Sequence, residues 1–182
     1  IKFKKQHLYY TKRRRLNYNS ILTNNPIFCA IDKSDIGKAI ALIDQISPYI
    51  GGVKLGLEFF TSCGLFGLEK IKKYELPIFV DLKLYDIPNT TKKALHNILE
   101  FDPLYTTLHL SGGSKMLIEC VNAKKELNSR TKLIGVTMLT SFNNTSISEI
   151  GIEKSVHENV KQLTQLAITC GIDGIVCSPL EI

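Results

Sequence analysis

Asp81-Leu82-Lys83-Leu84-Tyr85-Asp86-Ile87-Pro88-Asn89-Thr90 follows directly on Pro77-Ile78-Phe79-Val80. Ile78 to Val80 carry no polar side chain, and their β-branched and aromatic character reads as a buried strand. Side chains alternate faces along a strand, so Asp81 and Lys83 point the same way. Pro88 cannot continue a ladder, which puts Asp86 in the turn that ends the strand. The result is an acid, a base and a second acid at a strand's C-terminal end, where α/β proteins build their active sites. A salt-bridged surface turn would also give D-x-K-x-x-D, because exposed ion pairs are common and worth little. Here the charges start from a buried strand, where they are costly unless paired, and chemistry is the usual reason to keep them.

Outward from this strand, short apolar runs alternate with amphipathic ones. Strands are expected at Ile27–Ile31, Gly52–Gly56, Ile78–Lys83, Leu104–Leu110, Leu133–Leu139 and Gly174–Cys177. Helices are expected over 35–47, 58–74, 90–101, 114–127 and 154–170, and Ser141 to Ser146 reads as a loop. Such β-α repetition implies a parallel sheet covered by helices. Polar residues collect at the strand ends: Asp32, Lys54, Asp81, Lys83, His109, Thr137 and Thr140. An eight-stranded (β/α)8 TIM barrel uses that whole rim. An open doubly wound sheet would use one switch point, and no G-x-G-x-x-G supports it. A barrel needs eight strands and roughly 250 residues, whereas about six βα units are legible. The expectation is therefore an incomplete or truncated barrel over 26–182, preceded by a basic, disordered extension and linker over 1–25.

The chain has 182 residues, 44% hydrophobic and 22% charged, which is ordinary for a single globular domain. Its net charge of +6 is concentrated: residues 1–31 hold seven Lys/Arg and no acid, so the rest sums to −1. The body lacks the broad basic footprint of a nucleic-acid-binding domain. Residues 1–15 could contact RNA, DNA or an anionic membrane through phosphates, or be a tail without a role. No apolar run reaches the 18 or so residues of a membrane span, and no secretory signal is visible. Five scattered cysteines without C-x-x-C argue against a disulfide framework or a zinc site and suggest a reducing cytosol, hence a cytoplasmic protein. His109 is the obvious rival metal ligand, but a lone histidine at a strand end reads as a packing or hydrogen-bonding residue.

These motifs resemble the orotidine 5'-phosphate decarboxylase family from about Pro26 to Ile182. Phe28-Cys29-Ala30-Ile31-Asp32 is similar to its first strand and Val53-Lys54-Leu55-Gly56 to its second. Asp81 to Thr90 is its signature. His109-Leu110-Ser111-Gly112-Gly113, Val136 to Ser141 and Gly174 to Ser178 follow in order. Sugar-phosphate decarboxylases and synthases of the same superfamily share D-x-K-x-x-D, but Ile87-Pro88-Asn89-Thr90 fits the orotidine enzyme better. The resemblance implies a ribulose-phosphate-binding type of barrel that converts a nucleotide substrate to UMP without cofactor or metal. It makes Lys83 the proton donor to C6 within an alternating array of Lys54, Asp81 and Lys83, completed by Asp86 from the partner of a homodimer. Asp32 and Lys54 would hold ribose hydroxyls, Asp86, Ile87 and Thr90 would close the site across the interface, and Thr140 would meet the pyrimidine edge. The family's phosphate loops follow strands seven and eight, so this chain alone is expected to be poorly active or inactive. A non-catalytic remnant is the alternative.

Overall fold

The computed structural model describes residues 25–181. The basic head and nearly all of the linker expected before Pro26 lie outside them. Six parallel strands run in chain order: β1 (Phe28–Ala30), β2 (Gly52–Gly56), β3 (Ile78–Leu84), β4 (Tyr105–His109), β5 (Lys132–Val136) and β6 (Gly174–Val176). The helices between them are α1 (Ile36–Ile46), α2 (Leu57–Lys72), α3 (Pro88–Leu99), α4 (Gly113–Glu126), α5 (Asn144–Ser148) and α6 (Val156–Cys170). Each neighbouring pair of strands is a parallel β-α-β unit of the TIM-barrel kind, and the order β1 to β6 has no reversal, so the doubly wound alternative is ruled out.

Local chemistry sets the helix ends. Asp35 accepts the Lys38 amide at 2.8 Å and starts α1. Pro88 occupies the first turn of α3, where its missing N–H costs nothing. Ser155 and Glu158 form a reciprocal capping box on α6, which ends at Gly171 in the left-handed region (φ 76°).

Alternation then sorts the strand residues. Val53, Leu55, Val80, Leu108 and Leu133 face the helices and are fully buried. They pack in two clusters, one with Ile43, Phe59 and Ile71, the other with Leu95, Met116 and Leu117. Phe28, Phe79 and Tyr105 occupy the opposite face near the strand starts. The Phe28 and Tyr105 rings lie 5.6 Å apart although β1 and β4 are three strands apart in the sheet. Three spacings in a flat sheet come to about 14 Å, so the sheet is curled and this aromatic layer fills its concave side. Gly52 makes room for it. A Cβ there would run into the Phe28 ring and lie 2.7 Å from the Pro77 carbonyl oxygen. Gly52→Ala is expected to cost about 1–3 kcal/mol by overpacking, read as a lower urea midpoint at unchanged slope.

Two expectations need correction. β5 ends at Val136 rather than Leu139. The apolar run continues because Met138 packs with Ile147 and Val160 beneath the loop. Within the stretch read as loop, Asn143 caps the short α5 by accepting the Thr145 and Ser146 amides, each at 2.9 Å. Asp173 braces the far edge: it meets Lys124 Nζ at 2.6 Å and accepts the Leu133 amide at 2.8 Å. Burial raises its carboxyl, but these partners, with Lys132, hold it below the usual range.

Candidate active site

At the C-terminal end of the concave face, alternation brings Lys54 of β2 beside Asp81 of β3. Lys54 Nζ lies 3.4 Å from Asp81 Oδ2. Lys83 Nζ donates to both Asp81 oxygens, at 3.0 and 2.9 Å. Asp81 is 8% exposed, and two ammonium groups and a hydroxyl surround it. Burial pushes its carboxyl up, but the hydrogen bond and charge of Lys83, the Thr107 hydroxyl and the charge of Lys54 outweigh this and hold it below the usual carboxylate range. Asp81 is therefore ionised at neutral pH.

The reach of Lys83 is not simple strand alternation. β3 and β4 stay in register to Val80↔Thr106 and resume at Leu84↔Leu108, so β3 uses four steps where β4 uses two. Lys83 sits in this bulge with φ 51°, a left-handed conformation unusual for lysine. Its amide donates to Thr107 Oγ1 at 2.8 Å, and Thr107 Oγ1 donates to Asp81 Oδ1 at 2.9 Å. Thr107 is the functional-site neighbour that sequence reasoning missed. Its only signal was a hydroxyl at the position between Tyr105 and His109 on the same face of β4.

Asp32 follows β1 and is exposed. A Cβ on Gly56 would lie 3.8 Å from both Asp32 Oδ1 and Lys54 Nζ, so the two side chains converge over this glycine and extend the alternation to Asp32, Lys54, Asp81, Lys83. Asp86 does not join that row within the chain. It is exposed in the β3–α3 turn, accepts the Ile87 amide at 2.6 Å and is in no ion pair among the described residues. Ile87 and Tyr85 are 67% and 62% exposed, and Thr90 is exposed at the start of α3. Thr140 lies on the exposed turn after Met138.

His109 ends β4, its ring 5.6 Å from that of Tyr85. Its Nδ1 is buried with no hydrogen-bond partner among the described residues. Burial and the nearby Lys83 charge push its pKa down, which keeps it neutral at pH 7. Among the described residues, no three of His, Cys, Asp and Glu converge as a metal site, and no helix is long and apolar enough to cross a membrane.

Such an array can stabilise negative charge and deliver a proton at one point of a small ligand. Comparison with known proteins points the same way. Orotidine 5'-phosphate decarboxylase of Wolbachia sp. subsp. Brugia malayi is 46% identical over 157 residues, covering 86% of this chain and 69% of that protein. The enzyme of the same name from Erythrobacter litoralis is 43% identical, over 87% of this chain and 70% of its own. The crystal structure of orotidine 5'-phosphate decarboxylase from Lactobacillus acidophilus superposes with a TM-score of 0.73 at 30% identity, covering 87% of this chain and 73% of that one. The family model for orotidine 5'-phosphate decarboxylase / HUMPS matches residues 25–182. With the barrel strands in order and the charged row at their C-terminal ends, the chain belongs to that family.

Proposed function

We propose that this chain decarboxylates orotidine 5'-phosphate to UMP, the closing step of de novo pyrimidine synthesis, with Lys83 as proton donor. The observation that carries the reading is the continuous contact of Lys54, Asp81 and Lys83 at one point of the rim, in a chain of this family. When the C6–carboxylate bond breaks, its electron pair stays in the ring plane, where the π-system does not delocalise it. A preplaced ammonium stabilises that charge as it forms. Lys83 then gives a proton to C6, which yields UMP and CO2, and the lysine is reprotonated from solvent. Asp81 would face the departing carboxylate. At about 4 Å and an effective dielectric of about 20, two such charges repel by roughly 4 kcal/mol, and loss of CO2 removes that repulsion.

Asp32 and Lys54 converge where ribose hydroxyls would sit, and Thr140 stands on the same rim for the pyrimidine edge. The exposed, apolar-flanked turn from Tyr85 to Thr90 suits a second copy, so Asp86, Ile87 and Thr90 are assigned to the partner's site in a homodimer. A cytoplasmic location accords with the free cysteines.

The test is loss of orotidine 5'-phosphate absorbance with UMP as product. Mixing tests the shared site. Lys83→Ala and Asp86→Ala chains, each inactive alone, should on co-refolding regain about a quarter of parental turnover. Half of the dimers are mixed, and each of these has one intact site. No recovery from folded, mixed dimers would place Asp86 in its own chain's site or outside the chemistry.

A further inference from the structure

The bulge in β3 leaves a specific problem, and Thr107 solves it. The Pro77 carbonyl bonds to Val53 of β2 and the Ile78 carbonyl to Leu104 at the head of β4, so in a regular parallel ladder the Lys83 amide would turn to β2. The register shift between Val80 and Leu84 turns that amide to β4 instead, where it meets a side-chain hydroxyl, and the left-handed backbone of Lys83 needs support from its surroundings. Thr107 is fully buried opposite the bulge. Its single hydroxyl accepts the Lys83 amide at 2.8 Å and donates to Asp81 Oδ1 at 2.9 Å. The lysine is thus tied at both ends: its amide reaches Asp81 through Thr107, and its ammonium reaches Asp81 directly at 2.9 Å.

We propose that Thr107 is a positioning residue for the decarboxylation, its hydroxyl fixing the bulged Lys83 backbone and the Asp81 carboxylate in one register. The inference rests on Lys83 being the proton donor. A valine would fill the same space but leave the Lys83 amide unpaired and leave Asp81 Oδ1 with the Lys83 ammonium as its one remaining donor among the described residues. A serine would keep both bonds. Thr106 provides an internal control. It is next in sequence and equally buried, but its hydroxyl has no hydrogen-bond partner among the described residues.

The experiment compares the parent chain with Thr107→Val, Thr107→Ser, Thr106→Val and Lys83→Ala, all confirmed folded. Turnover of orotidine 5'-phosphate is measured beside the NMR titration of the Asp81 carboxyl carbon and the exchange rate of the Lys83 amide. Thr107→Val is expected to lower kcat about 10- to 100-fold, as a misplaced reacting group does, with KM within about threefold. It should also raise the Asp81 midpoint and speed Lys83 amide exchange about tenfold. Thr107→Ser should restore all three, and Thr106→Val should leave them at parental values. Parental kcat and an unmoved Asp81 midpoint in Thr107→Val would overturn the proposal, as would a kcat loss that serine does not rescue. Parental turnover in Lys83→Ala would instead sink the proton-donor assignment, and the Asp81 midpoint and Lys83 exchange would still decide whether Thr107 holds the two residues.

Discussion

Replacing Lys83 with alanine should lower turnover of orotidine 5'-phosphate about 10⁴-fold or more. Two effects are lost together. Proton transfer by a positioned group contributes roughly 10²–10⁴, and a charge preplaced against a developing anion contributes roughly 10²–10³. The same ammonium supplies both, so the losses combine. Stability should change little, because the Lys83 side chain is 33% exposed and its ion pair is partly screened. The strained φ of 51° is no easier for alanine, so the variant should fold as the parent does. Circular dichroism and a urea titration check this before kinetics are compared. A loss of less than tenfold in a folded variant would move the proton donor elsewhere.

Asp81→Asn is the second large effect. The amide keeps the shape of the carboxylate but removes the only negative charge among the described residues that contacts both Lys54 and Lys83. Turnover should fall about 10²–10³-fold. The two unneutralised ammonium groups should cost about 1–3 kcal/mol, below the figure for a fully buried pair because both lysine side chains are about a third exposed. The pH dependence follows from the depressed Asp81 carboxyl. In the unfolded chain this group titrates near 3.8, and in the folded chain lower. Its contribution is therefore complete above that value and is lost as pH falls through the folded pKa. The parent should lose stability more steeply than Asp81→Asn between about pH 5 and pH 2. Parallel acid limbs would mean that Asp81 does not stabilise the fold through its charge.

Much of this was legible in the chain, for physical reasons. Buried parallel strands are short apolar runs, and the helices between them show a distinct period, so all six strands were found within a few residues of their observed bounds. Lys54, Asp81 and Lys83 were legible because charged residues at the ends of apolar strands are too costly to be incidental. Three features were not legible. The end of β5 was hidden because Met138 is as buried in its loop as a strand residue would be. The helix at Asn144 was hidden because five residues are too few for a period and a side-chain cap holds them. The bulge at Lys83 was hidden because the partner that permits it, Thr107, lies 24 residues on, and threonine is an unremarked strand residue. Alternation gave the right neighbours for Asp81 and Lys83, but the bulge and the hydroxyl opposite it bring the two into contact.

The measurement that tests the central claim most directly is UMP formation from orotidine 5'-phosphate in deuterium oxide, followed by proton NMR, with the folded parent chain beside Lys83→Ala. The account predicts UMP above the uncatalysed background, deuterated at C6 because the proton comes from an exchangeable ammonium, and background only in the variant. Orotidine 5'-phosphate left unchanged by the folded parent, the outcome expected of a non-catalytic remnant, or UMP formed equally fast without Lys83, would contradict it.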